Sequence, residues 1–458
     1  MRLSIKKLRL IDLFRNRKGT LTFRLVLAVF GIALKLFFRR IETVNADTVP
    51  SGTGVIFVMN HPNGLIDPAL VFVAMPRRIS FLAKSTLFKM PVISFLLRTV
   101  GALPVYRRID AGEDIAKNQE TFRLASQMLR GGGSIALFPE GVSHNSPKLL
   151  PAKTGAARIA LGAVSVGDDN FDLRIVPVGL FYTSKKAFRS EALLHFGEPF
   201  RVHPTALDTD GQPPRDAVKE LTALIEEELR KVTLNAETDA AMNTARIAEA
   251  IFSSSGDNEN LGEKLEFLQA YIDDLETEDD PEDEKLRSEI HRFDQELNRY
   301  GIGPEHLSLA QFDRSFVVRE AISRSWWLLL LLPFAVIGII LHSPAYQLCR
   351  LFSEWYSRHG ADDVASTAKV LAGVVFMPAT WLITALVVGY FLGWESGIFS
   401  IPISALFGLV ALYTIEQFED LRGWANAVAL FLTKKEVFLR LFVERREMQR
   451  KLIGYDRQ

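Results

Sequence analysis

The chain contains one cysteine, Cys349, in 458 residues. A disulfide within the chain is excluded, and so is a metal site built from thiolates. This fits a protein facing the cytoplasm. Acidic residues are almost missing from the start: the first 40 residues hold eleven Lys or Arg and one acid, Asp12. A cleaved export signal does not fit there. The apolar run 23–38 is interrupted by Arg24 and Lys35 and is followed by Arg39 and Arg40 instead of a small-residue cleavage site. Residues 1–45 are expected to form a basic amphipathic segment that associates with membrane; packing against the protein core is the alternative. No Gly-x-Ser-x-Gly elbow surrounds Ser85 or Ser143, which weakens a serine-hydrolase reading. Formal charge is absent over 370–393 and again over 398–415. No nucleic-acid partner is expected of a chain whose net charge is zero.

Length and hydropathy indicate several structural units. A chain of 458 residues exceeds what one core normally serves, and 48% apolar residues suggest that part of it sits in lipid. Short apolar runs at 55–59, 79–83, 102–106, 134–138, 174–182 and 193–196 read as strands. Helical spacing marks the intervals 87–100, 116–130 and 154–164, and later 215–232. Strands separated by helices of this length predict an α/β domain over 46–235. Residues 236–322 lack strand patterning and predict helices, with the acidic patch 279–284 as a solvated loop. Residues 323–418 hold three apolar runs, 326–341, 370–393 and 398–415. A crossing takes about 20 apolar residues, so the second qualifies outright and the third is slightly short. The first contains Pro333 and either spans or enters and returns. Only residues 394–397 separate the last two runs, which predicts a tight helical hairpin. Residues 419–458 form a basic amphipathic tail with Phe438, Leu441 and Phe442 as its stripe. Lys and Arg near both the α/β domain and the tail favour a cytoplasmic position for both. An odd number of spans would contradict that placement, so the count is left open.

The chemistry is concentrated in four runs. Asn60-His61-Pro62-Asn63-Gly64-Leu65-Ile66-Asp67-Pro68 follows the first strand, and Pro68 can sit in the first turn of the next helix. His61 is thereby presented on a loop at a strand end. Asp67 is close enough to hold one imidazole nitrogen, leaving the other to take a proton from an alcohol. Gly101-Ala102-Leu103-Pro104-Val105-Tyr106-Arg107-Arg108 ends another strand in guanidiniums suited to phosphate. Phe138-Pro139-Glu140-Gly141 ends a third, with the Gly141 N–H as a candidate oxyanion donor. Lys153 precedes a helix opening at Thr154-Gly155, a fair phosphate site. Ile175-Val176-Pro177-Val178-Gly179 reads as buried strand.

The order of these runs over roughly residues 45–235 resembles the glycerolipid acyltransferase family, whose members acylate glycerol-3-phosphate, dihydroxyacetone phosphate or lysophospholipids. The resemblance rests on His61 and Asp67, on Gly101 and Arg107, on Phe138-Pro139-Glu140-Gly141, and on Val176-Pro177. It implies the family's sheet with flanking helices. It also implies His61 as general base, Asp67 as its partner, and Arg107, Glu140 and Gly141 as binders of a phosphorylated acceptor. Two departures stand out. Five residues separate His61 from Asp67 where four are usual, and Val142-Ser143-His144 replaces the usual Thr-Arg-Ser. The longer spacing is similar to a branch of glycerol-3-phosphate and dihydroxyacetone-phosphate acyltransferases with membrane segments after the catalytic domain. The missing Arg leaves Lys84, Lys153 or Arg158 to carry the phosphate charge.

The expected function is transfer of an acyl group from acyl-CoA or acyl carrier protein to glycerol-3-phosphate or dihydroxyacetone phosphate, with a lysophospholipid acceptor as the alternative. The donor chain would run along residues 87–97. No metal and no redox cofactor are implied. The rivals are a serine hydrolase using Ser143 or Ser85, and a non-catalytic membrane scaffold.

Overall fold

The structure is a computed structural model that describes residues 4–7, 20–107, 113–166, 171–185, 187–253, 260–277, 281–307, 314–358 and 365–453. Arg108 and the acidic residues 278–280 lie outside the described residues. The chain divides into two units, Met1–Asn235 with Ser357–Val370, and Ala236–Tyr356 with Leu371–Gln458.

The first unit is built on a mixed sheet with nine strands among the described residues. Its strands are β1 (Ile5–Lys7), β2 (Arg40–Val44), β3 (Gly54–Met59), β4 (Ser80–Lys84), β5 (Leu103–Val105), β6 (Ser134–Leu137), β7 (Leu173–Tyr182), β8 (Glu191–Phe196) and β9 (Phe200–Arg201). The path runs β1-β2-β8-β7-β3-β6-β4-β5, with β9 beside β7. β7, β3, β6, β4 and β5 are mutually parallel, while β8 runs against β7. The C-terminal ends of those five strands therefore share one edge. All six expected strands are present within a residue or two.

β3 shows why the sheet is central. Every residue from Val55 to Met59 is fully buried. Val55, Phe57 and Met59 face one layer with helices α1 (Leu21–Phe37) and α2 (Ile66–Ala74). Ile56 and Val58 face the other, with α4 (Asn118–Arg130), α5 (Gly155–Ser165) and α6 (Arg215–Val232). Successive side chains of a strand point to opposite faces, so an unbroken apolar run is what a strand covered on both sides requires. The short helix α3 (Pro91–Thr99) precedes β5. In this stretch Met90 and Phe95 are exposed, while Leu96 and Leu97 pack on the core.

The expected boundary at residue 45 falls inside this unit. Thr20 caps α1 by accepting from the Phe23 N–H at 3.2 Å, and Phe23, Leu27, Leu34 and Phe37 join the core. The opposite face of α1 leaves Leu21, Leu25, Val29 and Ile32 exposed. Arg39 and Arg40, read as the flank of a surface segment, both pair with Glu191 at 3.1 Å as β2 docks on β8.

The second unit is helical. α7 (Asp239–Phe252), α8 (Leu261–Thr277) and α9 (Pro281–Tyr300) supply the helices expected before the apolar region. Pro281 opens α9, so the part of the acidic patch from 281 onward is a helix start and not a loop, consistent with the tolerance of proline in a first turn. α10 (Arg314–Arg358) runs unbroken through residue 322 and through Pro333 and Pro344. α11 (Ala365–Leu392) and α12 (Trp394–Thr433) are joined by Gly393 alone, at φ 90°. The hairpin is thus tighter than the four-residue link read from sequence. α12 continues past residue 418 to Thr433, and α13 (Lys435–Leu452) follows. Among the described residues, three helices are long and apolar enough to cross a membrane: Ser325–Trp355, Lys369–Leu392 and Trp394–Thr433.

Candidate active site

The parallel strands bring the four sequence runs to one edge, the usual place for a site in such sheets. Across β3, β6, β4 and β5 in spatial order, the residues at that edge are His61, Glu140, Lys84 and Arg107. The loop after β3 is fixed first. The Asn60 side chain donates to the Leu180 carbonyl at 3.1 Å and accepts from the Leu180 N–H at 2.7 Å, extending the β3–β7 ladder by one side-chain rung. Gly64 then turns the chain at φ 48°, a conformation that favours glycine, and α2 begins.

Asp67 lies in the first turn of α2, where free N–H groups favour a negative charge. It is fully buried and all its partners are donors. Its Oδ2 accepts from the Asn63 N–H at 2.7 Å and contacts His61 Nδ1 at 2.8 Å. Its Oδ1 accepts from the Tyr182 hydroxyl at 2.6 Å. Burial, together with that carboxylate, pushes the Tyr182 phenol well above its ordinary range, so it remains a donor. A carboxylate on Nδ1 sets the tautomer and leaves Nε2 as the nitrogen able to take a proton. The ring is partly exposed and stacks on Phe138, with centroids 4.0 Å apart and planes at 15°.

Glu140 takes a position that the sequence reading did not foresee. It is 2% exposed, and both oxygens are engaged. Oε1 accepts from the His61 N–H at 2.9 Å; Oε2 accepts from the Leu150 N–H at 3.0 Å and contacts His144 Nε2. Glu140, expected to bind the acceptor, here braces the His61 loop through these contacts. The His144 N–H also donates to the His61 carbonyl at 3.2 Å, closing a ring of contacts between the two loops.

The Gly141 N–H, a candidate oxyanion donor by sequence, donates to the Phe138 carbonyl at 3.0 Å within its own turn. Its lack of a side chain is still used. At φ 71° a Cβ would meet Lys153 Nζ at 2.6 Å, so the bare Cα is where the Lys153 ammonium rests. Arg107 Nη1 donates to the Gly141 carbonyl at 2.7 Å. Arg107 and Lys153 therefore converge on one residue, next to Glu140. Lys84 ends β4 in register with Val105, on the same edge, while Arg158 donates to the Thr154 hydroxyl at 3.4 Å on α5. Among the described residues, no cluster of His, Cys, Asp or Glu could hold a metal.

Sequence reasoning missed Asn60, Asn63, His144, Leu150 and Tyr182. Tyr182 had a signal: a buried tyrosine at a strand end needs a hydroxyl partner. His144 stood in the altered motif without an assigned role.

The fold and the dyad define an acyltransferase domain, and residues 40–180 match the acyltransferase family model. Residues 260–454 match the glycerol-3-phosphate acyltransferase 2 C-terminal domain, so the three segments expected after residue 236 fall largely under one domain model. The chain thus carries, in tandem, an acyltransferase domain match and a match to this C-terminal domain. It is 27% identical over 278 residues to glycerol-3-phosphate O-acyltransferase 2 of Saccharomyces cerevisiae, covering 58% of this chain and 37% of that protein. It is 29% identical over 272 residues to glycerol-3-phosphate O-acyltransferase 1 of the same yeast, covering 56% and 36%. An uncharacterized acyltransferase of Schizosaccharomyces pombe is 22% identical over 523 residues, covering 90% of this chain and 76% of that protein. The chain thus spans little more than a third of the length of the two Saccharomyces cerevisiae relatives.

Proposed function

We propose that the protein is a membrane-embedded enzyme that acylates a hydroxyl of glycerol-3-phosphate, with dihydroxyacetone phosphate as a second acceptor of the same kind. The observation that carries this reading is the His61–Asp67 contact at 2.8 Å, on a loop held by Glu140 beside two cations. His61 Nε2 takes the acceptor hydroxyl proton, and the oxygen attacks the carbonyl carbon of an acyl thioester. The C–S bond breaks, and the imidazolium returns the proton to the departing thiolate, so no covalent acyl-enzyme forms. General-base assistance of this kind contributes about 10²–10⁴ in rate. Arg107 and Lys153 hold the acceptor phosphate, and fixing the acceptor there supplies much of the remaining rate. The thioester is acyl-CoA or acyl carrier protein; no metal or redox cofactor takes part. The exposed Met90 and Phe95 mark the side along which the acyl chain would lie. The two Saccharomyces cerevisiae relatives are named for glycerol-3-phosphate, which favours that acceptor over a lysophospholipid. The catalytic unit faces the cytoplasm, in keeping with the basic residues around it and the single cysteine.

The test is a labelled acyl-CoA incubated with membranes and a panel of glycerol-3-phosphate, dihydroxyacetone phosphate and lysophosphatidate, followed by identification of the lipid product. Labelled lysophosphatidate from glycerol-3-phosphate, lost in His61→Ala, is expected. Product formed at the wild-type rate by His61→Ala overturns the mechanism, and product from lysophosphatidate alone overturns the acceptor.

A further inference from the structure

The three apolar helices lie, in sequence, between the bundle α7–α9 and helix α13. Those flanking parts are packed together. Phe438, Leu441 and Leu452 of α13 are fully buried, and Met448 nearly so. Arg445, 5% exposed, donates from Nε to the Ile251 carbonyl at 3.2 Å, from Nη1 to Leu307 at 3.3 Å and from Nη2 to Ser253 at 2.7 Å. Ion pairs surround the contact: Arg292–Glu444 at 2.8 Å, Lys451–Glu289 at 2.7 Å, and Arg440–Glu296. A guanidinium held by three carbonyls and ringed with charges belongs in water-facing protein. Chain from before the first apolar helix and chain from after the last must therefore stand on one side of the bilayer. Three single crossings would put them on opposite sides.

We propose that the apolar region crosses the membrane twice, by the α11–α12 hairpin, and that α10 lies in the near leaflet without carrying the chain across. This rests on the reading that the protein is embedded in a membrane. The two hairpin arms cannot be separated, because Gly393 alone joins them. They approach closely at Gly389 and Gly397, where a Cβ on Gly397 would meet the Ala385 carbonyl at 2.6 Å. The hairpin tip carries Glu395 with exposed Tyr390 and Trp394, an aromatic and charged end of the kind found at a membrane surface. The 28 residues of α11 rise at about 1.5 Å each, longer than a hydrocarbon core of about 30 Å. α12 ends at α13, so its tip lies on the far side and both arms cross. Each end of α10 is linked to a near-side element by a segment of only six residues, 308–313 and 359–364, whose extended reach of about 3.5 Å per residue falls short of the hydrocarbon thickness. α10 meets α12 in the half of its apolar stretch nearer Glu416 than Trp394. Gly338 lies against the Phe407 carbonyl and Ala411, and the His342 ring lies against Gly408. A second polar tie holds it there, as Trp381 Nε1 donates to His342 Nε2 at 2.9 Å.

The sole cysteine makes this directly testable. In a Cys349→Ala background, single cysteines are placed at Glu263 on α8, Asp363 between α10 and α11, Glu395 at the tip and Glu447 on α13. Sealed vesicles are treated with a membrane-impermeant maleimide before and after permeabilisation. Positions 263, 363 and 447 are expected to label from one side and 395 only from the other. Labelling of 447 opposite 263 overturns the even count. Labelling of 363 opposite 263 gives α10 a crossing, and 395 on the side of 263 removes the hairpin's crossings; either ends the proposal. Alkaline carbonate extraction separates the two failures. Release of the protein refutes the embedded reading and the topology with it, whereas retention with an odd pattern refutes the topology alone.

Discussion

The Tyr182 hydroxyl donates to Asp67 Oδ1 at 2.6 Å, on the carboxylate whose other oxygen holds His61. β7 and β3 are neighbours and parallel, so the last residue of one strand ends beside the helix that follows the other. Removing this donor leaves a fully buried oxygen unsatisfied, at a cost of about 1–3 kcal/mol. Tyr182→Phe is expected to lower stability by that amount. It should also lower kcat by about tenfold, the equivalent of roughly 1.4 kcal/mol of lost orientation, with the acceptor KM unchanged. A thermal melt and steady-state kinetics on the same preparation check both, and wild-type kcat in the variant would remove Tyr182 from the positioning of Asp67.

Glu140 serves two backbone N–H donors and His144 at once. Glu140→Gln turns an amide donor toward groups that are themselves donors. Charge-assisted bonds are worth about 1.5–3 kcal/mol each, so kcat should fall on the order of a hundredfold. His144→Gln should cost less, since Glu140 keeps both backbone partners. Because the two side chains touch, the double variant should lose less than the sum of the single losses. A double-mutant cycle on kcat measures this, and strictly additive losses would show that His144 does not act through Glu140.

The dyad was legible because His61 lies on a short loop and Asp67 in the first turn of the helix it enters, so spacing alone limits their separation. The parallel strands were legible because burial on both faces leaves continuous apolar runs such as 55–59. β2 was not, because its Arg40 and Glu42 disguise a buried strand. They are tolerated through ion pairs, Arg40 with Glu42 at 3.6 Å and with Glu191, about 150 residues away, at 3.1 Å. No local pattern reports a partner so distant. The same reason hid the role of Glu140, whose residue type suggests a ligand-binding group. Besides His144, its partners are backbone N–H groups, invisible to side-chain reasoning. The outward face of α1 keeps the apolar stripe seen in sequence, while the inward face answers to the core.

Arg107 and Lys153 meet at Gly141 from two directions. If they hold the acceptor phosphate, Arg107→Ala should raise the acceptor KM by about 10–100-fold, as loss of a charged hydrogen bond of about 1.5–3 kcal/mol implies. The donor KM should not move. Gly141→Ala should shift the acceptor KM the same way, because the new methyl occupies the resting place of the ammonium and strains a backbone at φ 71°. Comparing the KM values for both substrates distinguishes this from general damage, and equal increases in both would remove the pair from the phosphate site.

His195 sets an acid limit on the fold. It sits on β8 beside Gly179 and Val44, with Nδ1 buried and lacking a partner among the described residues. Burial pushes its pKa down to about 4. Between an unfolded value near 6.5 and that folded value, the unfolded chain binds the proton and the folded chain refuses it. Stability therefore rises with pH across this window and is lost as pH falls through it, by up to about 1.4 kcal/mol per pH unit. His195→Leu removes the group that titrates. In detergent, the melting temperature of the wild-type protein should fall more steeply than that of the variant between about pH 6.5 and 4.5. Parallel curves would mean that the acid sensitivity of this sheet comes from its carboxylates instead.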